Sequence, residues 1–223
     1  MATKNRVSIP YAELLQRCDR VLSLFHRDAD VFADYGLNEA FATAFSEKIE
    51  LFRDTDTDRY WEGQQMMATK AKDDARKALE ELLAGFRFRA KLALGEKSAR
   101  FRLYGFGPFS KHKDPGIVRH AQSVVRAASN MLADLSPRGI DQAYLDDIQG
   151  AYQQLDMAID DAEAARGTRQ AKTVDRRNLA AGLYTSLGEI CNIGKRHWRT
   201  LNEAHYEEYV LFGDRIVSES ASE

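Results

Sequence analysis

The sequence predicts an all-α protein, an antiparallel helical bundle built from two pseudo-symmetric three-helix repeats. Three observations carry that expectation. Apolar residues recur in alternating steps of three and four along most of the chain, the period of a helix with one buried face. No stretch shows the sustained β-branched alternation of a strand. The chain also repeats itself: Gly36-Leu37-Asn38-Glu39-Ala40-Phe41 returns as Gly139-Ile140-Asp141-Gln142-Ala143-Tyr144 at a shift of 103, and Phe45, Ile49 and Phe52 stay in register with Ile148, Tyr152 and Leu155. Leu79, Leu83, Phe86 and Lys91 answer to Leu183, Leu187, Ile190 and Lys195 at a shift of 104, and the closing Phe101-Arg-Leu-Tyr-Gly105 to Tyr209-Val-Leu-Phe-Gly213 at 108. Self-similarity of this kind constrains architecture before it says anything of chemistry.

The first helix carries Tyr11, Leu14, Cys18, Val21, Phe25 and Phe32 on one face and stops near Gly36, since glycine suits the left-handed residue that ends a helix. Asn38 and its counterpart Asp141 are placed to cap the next helix by accepting from a free backbone N–H. A second helix follows with Phe41, Phe45, Ile49 and Phe52, then the turn Asp54-Thr-Asp-Thr-Asp58. A third runs from near Tyr60 and Trp61 through Ala75, Leu79, Leu83, Phe86 and Ala90 to Leu94, and a short piece, Ala99 to Tyr104, closes the half. The segment 105–116 holds two of the four prolines and three glycines and reads as the linker. Beyond it the plan recurs: Ile117 to Leu135, then Ile140 to Ile159, then Leu179 to Trp198. The expected division is therefore a first repeat at 1–104, a linker at 105–116, a second repeat at 117–213 and a flexible tail at 214–223.

Composition narrows the class. Apolar residues make up 44% of the 223 and charged residues 30%, which fits a globular chain with a well-solvated surface. A formal charge of −2 gives no global pull toward nucleic acid, so electrostatic partners must be sought in local clusters. Cys18 and Cys191, one in each half, read as reduced buried thiols. The polar start from Met1 to Pro10 and the lack of any long apolar run point to a cytoplasmic protein with no membrane partner.

Two helical units, each closing on an aromatic-x-Leu-aromatic-Gly tail, resemble uncharacterised bacterial tandem-repeat helical-bundle proteins. The resemblance rests on packing positions, implies a bundle without an assigned activity, and transfers no functional residue.

Several familiar chemistries are missing a key residue. Asp54, Asp56 and Asp58 alternate as a calcium loop begins, yet the positions needing Gly and Glu hold Arg59 and Gln65. None of the five histidines follows a Glu by three residues, as a di-iron bundle requires. No phosphate-binding Gly loop, nucleophile elbow or Cys-x-x-Cys pair occurs. The sequence thus nominates no catalytic residue, no metal ligand and no cofactor.

The densest feature is basic and aromatic. From Arg87 to Arg119 nine Lys/Arg face two acids, interleaved with Phe86, Phe88, Phe101, Tyr104, Phe106 and Phe109. Basic grooves with stacking aromatics hold single-stranded nucleic acid. Phe86 and Phe101, however, are matched by Ile190 and Tyr209 and so read as core, and Asp141 to Glu163 supplies seven acids and no Lys or Arg as a complementary surface. The function expected is a non-enzymatic structural or protein-interaction module, self-association included, whose interaction surface comprises Arg87, Arg89, Lys97, Arg100, Arg102, Lys111 and Lys113. Nucleic-acid binding through 86–113 is the first alternative. A small-ligand binder or enzyme with a pocket between the repeats is the second.

Overall fold

The computed structural model describes Val7 and residues 9–210; the tail expected at 214–223 and the end of the closing match at 211–213 lie outside them. Among the described residues the fold is all-α, with no strand. In chain order the helices are α1 (Tyr11–Arg27), α2 (Ala29–Ala33), α3 (Glu39–Arg53), α4 (Asp58–Leu94), α5 (Ala99–Arg102), α6 (Asp114–Ser129), α7 (Leu132–Leu135), α8 (Gln142–Trp198) and α9 (Glu203–Glu208).

Local chemistry sets the boundaries. Gly36 and Gly139 both adopt positive φ, +80° and +74°, just before Asn38 and Asp141. Asn38 Oδ1 accepts from Phe41 N–H at 3.3 Å and Asp141 Oδ1 from Tyr144 N–H at 3.0 Å, each satisfying an orphan donor of a helix start. Thr57 caps α4 by accepting from Tyr60 N–H, and Gly95, at φ +81°, ends it. The three aspartates of the α3–α4 turn are exposed, with Asp58 in the first turn of α4, where a carboxylate complements the helix dipole.

Three elements differ from expectation. The first helix breaks at Asp28 before α2 begins, so Phe32 belongs to a separate turn. Part of the expected linker is ordered: Phe109–Lys111 forms a 3-10 turn and α6 starts at Asp114. The second and third helices foreseen in the second half are one helix, α8, of 57 residues. Met157 to Asp161, at the place of the first half's Thr- and Asp-rich turn, offers no proline and no capping hydroxyl. Gly167 and Thr168 cost helix stability without ending it.

Two compact units result. Unit 1 takes residues up to 56 and from 172 onward; unit 2 takes 57–171. This division does not follow the halves 1–104 and 117–213. The core of unit 1 joins Leu14, Cys18, Val21, Phe25, Phe45, Ile49 and Phe52 from the beginning of the chain with Ala180, Leu183, Leu187, Ile190 and Tyr209 from its end. The core of unit 2 joins Leu79, Leu83, Phe86, Phe101 and Tyr104 with Ile117, Ala121, Val124, Leu145, Ile148 and Leu155. Between Leu155 and Ala180 on α8, and before Ala75 on α4, no residue is buried.

Candidate functional site

The basic segment divides into residues that hold unit 2 together and residues that face solvent. Phe86, Phe101 and Tyr104 are buried, and Phe106 joins them with ring centroids 6.0, 6.0 and 5.8 Å away. Burial first, then the Asp134 charge, pushes the Tyr104 phenol up to about 12. The segment that follows is tied down from α4. Arg76 donates to the carbonyls of Phe109 at 3.2 Å and His112 at 2.9 Å and pairs with Asp114, which also accepts from Lys72 at 2.9 Å. Burial would raise the Asp114 carboxyl, but the hydrogen bonds from Lys72 and Arg76 outweigh it and lower its pKa. His112 stacks on His120 with centroids 5.5 Å apart, and Phe106 and Phe109 flank His120. Burial, helped by His112, keeps the His120 imidazole below its ordinary pKa.

Of the seven residues nominated from sequence, Arg89 is structural: it donates to Gly139 O at 2.6 Å and lies 4.8 Å over the Tyr144 ring. Tyr144 in turn donates to Leu82 O at 2.9 Å, close against Gly85. Arg100 pairs with Asp134 at 2.9 Å. Arg87 leans toward Phe106, 5.9 Å from its centroid, and remains exposed. Lys97, Arg102, Lys111 and Lys113 are exposed. Phe88, 64% exposed, and Leu92, 50%, stand one turn apart on α4, with Arg87 and Lys91 beside them in the helix.

Unit 1 carries a polar centre that sequence reasoning missed. Asp28 is buried and accepts from Tyr209 Oη at 2.7 Å, Trp198 Nε1 at 3.0 Å and both Nε and Nη2 of Arg27 at 2.8 Å. Arg27 reaches on to Glu208 at 2.6 Å, and Trp198 stacks on His205 at 4.6 Å. Burial pushes the Asp28 carboxyl up, but the bonds from Arg27, Tyr209 and Trp198 prevail and hold it at about 2. Such a carboxylate is a fixed anion at neutral pH, suited to fastening chain segments rather than to moving protons. No spacing could have found it, because Trp198 and Tyr209 lie 170 and 181 residues away.

The remaining chemistry is sparse. Two open clefts of about 420 and 410 Å³ occur in unit 1, one lined by His26, Glu39, Glu47 and Glu50, the other by Arg17, Arg20, Cys191 and Tyr209. Cys18 and Cys191 are buried, and burial above all pushes both thiols up to about 12, far from the reactive thiolate range. Among the described residues no group of three or more His, Cys, Asp or Glu is disposed to hold a metal ion, and no helix is long and apolar enough to cross a membrane. No protein-family model, curated protein or solved structure matches the chain.

Proposed function

We propose that the protein is a non-enzymatic, duplicated helical module that binds an acidic protein surface through the exposed side of the α4 end and the segment after it. The observation that carries this reading is the fate of the aromatics. Phe86, Phe101 and Tyr104 are spent in the core, whereas Phe88 and Leu92 present an apolar pair beside Arg87 and Lys91. A stacking groove for bases needs several free rings along a cationic track. One exposed ring with an aliphatic neighbour and a cationic surround suits an amphipathic acidic partner better.

The duplicated architecture is part of the proposal. In unit 1, Tyr11 meets Phe52 at 5.3 Å and Phe25 meets Phe41 at 6.0 Å, so α1 and α3 run antiparallel; Arg176 over Tyr11 and Trp198 on Asp28 set α1 parallel to the end of α8. In unit 2, Gln65 bonds Arg169, Leu82 bonds Tyr144 and the Arg89 side chain bonds Gly139, an antiparallel pairing of α4 with the start of α8. Arg76 on α4 bonds Asp114 at the start of α6 and Arg89, farther along α4, bonds Gly139 just beyond α7, contacts that favour α6 running parallel to α4. These contacts support reading each unit as the first two helices of one half combined with the third helix of the other, in the same relative directions. Buried thiols and the absence of a membrane-spanning helix among the described residues accord with a cytoplasmic setting.

The test is a fluorescence-anisotropy comparison in 150 mM salt between a labelled helical peptide bearing aspartates and leucines one turn apart and a labelled single-stranded DNA. Peptide binding that falls in the combined Arg87→Glu and Arg102→Glu variant is the expected result. Submicromolar DNA binding abolished by the same change, with the fold intact, would transfer the site to nucleic acid.

A further inference from the structure

We infer that the partner of this basic surface is a second copy of the same chain, docked through the acidic face of α8; the inference rests on the interaction reading above and names its partner. Two unlike surfaces of unit 2 are left largely without ion pairs within the molecule, although Arg87 feels the Glu96 charge and lies over Phe106. Among the described residues Arg87, Lys97, Arg102, Lys111 and Lys113 form no ion pair, and neither do Asp147, Asp156, Asp160, Asp161 and Glu163. All ten are exposed. The sequence contains both blocks, and the fold does not bring them together.

The acidic face has the shape of a helix-docking stripe. Asp156, Asp160 and Glu163 follow one another at steps of four and three on α8, so like charges stand one turn apart and weaken the helix that carries them. Arg87 and Lys91 repeat the arrangement with the opposite sign on α4, although Lys91 has Glu96 at 2.7 Å. Charge alone would leave both faces solvated, because exposed pairs contribute little. Each face, however, also carries apolar surface with nothing over it: Phe88 and Leu92 beside the cations, and Met157, 69% exposed, beside the anions. Laying the α4 end of one copy along α8 of another covers these side chains and sets each cationic row against an anionic one. The complementary charge selects the partner and speeds the encounter while the apolar contact holds it. Because the contact joins unlike patches, a two-fold dimer makes it twice and an open chain makes it once per step.

The experiment uses the full-length chain in sedimentation velocity at 50 and 200 mM salt over a range of concentrations. One variant combines Arg87→Glu with Arg102→Glu; a second combines Asp156→Lys with Asp160→Lys. Circular dichroism melts verify that both remain folded. The wild type should self-associate, more weakly in 200 mM salt, and each variant alone should lose association by roughly a hundredfold, since like charges then meet. An equimolar mixture of the two variants should regain it, because every reversed patch meets a reversed counterpart. A wild type that stays monomeric throughout, variants that associate as well as the wild type, or a mixture that stays dissociated would each overturn the proposal. If the wild type is monomeric while the acidic peptide still binds, the second copy is excluded as partner and the interaction reading stands.

Discussion

Tyr209 donates its hydroxyl proton to the buried carboxylate of Asp28 across 2.7 Å, joining two points 181 residues apart in the chain. Trp198 and Arg27 donate to the same carboxylate, so the stretch from Trp198 to Tyr209 is fastened to the α1–α2 break by one anion.

That anion makes stability depend on acid. The Asp28 carboxyl sits at about 2 in the native state against an ordinary 3.8, a depressed value, so its contribution is complete above about pH 5 and drains away as pH falls toward 2. The shift corresponds to about 2 kcal/mol. Chemical denaturation at pH 7 and pH 3 should show a stability loss that shrinks by about 1 kcal/mol, roughly half of that amount, in Asp28→Asn, because at pH 3 the folded carboxyl is still mostly ionised. An identical pH dependence in the variant contradicts the assignment.

Phe45 and Ile148 occupy matched core positions, 1% and 0% exposed. Phe45→Ala should cost ~3–5 kcal/mol and Ile148→Ala ~2–5 kcal/mol through lost burial and the cavity left behind. Urea midpoints check this, and an unchanged midpoint for either would place that side chain outside the core.

Two glycines should respond oppositely to the same substitution. A Cβ at Gly194 would lie 2.5 Å from the Tyr209 ring, whereas nothing stands within 4 Å of one at Gly167. Gly194→Ala should therefore destabilise by ~1–3 kcal/mol through overpacking. Gly167→Ala, on an exposed turn of α8, should stabilise by ~0.5–1 kcal/mol. Thermal melts of the two variants shifting the same way would refute the packing account.

Arg76 fastens the segment before α6 through two backbone carbonyls and Asp114. Arg76→Met should leave the rest of unit 2 folded while exposing residues 105–113 to trypsin, whose targets Lys111 and Lys113 lie within that stretch. Limited proteolysis followed by mass spectrometry reads the cleavage position, and cleavage as slow as in the wild type would count against the tether.

Local order along the two long helices should be uneven. With no buried residue from 156 to 179 on α8 or from 58 to 74 on α4, amides there have little to protect them beyond the helix itself. Hydrogen exchange should be faster in these stretches than around Leu83, Ile148 and Leu187. Uniform protection along α8 would contradict this.

Helix faces were legible because their period is local: Leu79, Leu83 and Phe86, like Leu183, Leu187 and Ile190, announce a buried stripe with no knowledge of the partner. Which third helix completes which core was not legible, because the two candidate stripes carry the same pattern. When Leu83 and Leu187 are interchangeable to the eye, pattern cannot decide whether Phe45 meets one or the other. The fusion into α8 was hidden for a related cause, since the matching blocks invited a second turn where Met157 to Asp161 has two aspartates but no proline, glycine or capping hydroxyl. In the basic segment, repeat matching correctly assigned Phe86 and Phe101 to the interior. Arg89 looked like its exposed neighbours, because its acceptor is a backbone carbonyl at Gly139, which leaves no mark in side-chain pattern. Asp28 was equally silent, one acid among many until the fold gathers its donors.

The interleaved cores bear on how the chain is made. Everything unit 2 buries lies between Ala75 and Leu155, so it can close while synthesis continues. The helices of unit 1 emerge first and must wait, Phe25, Phe45 and Phe52 exposed, until Ala180 to Tyr209 leaves the ribosome. At 5–20 residues per second that delay is on the order of ten seconds, long compared with helix formation. The helices that precede unit 2 in the chain are thus sheltered after it, and during that interval they are the part that nascent-chain chaperones would find sticky.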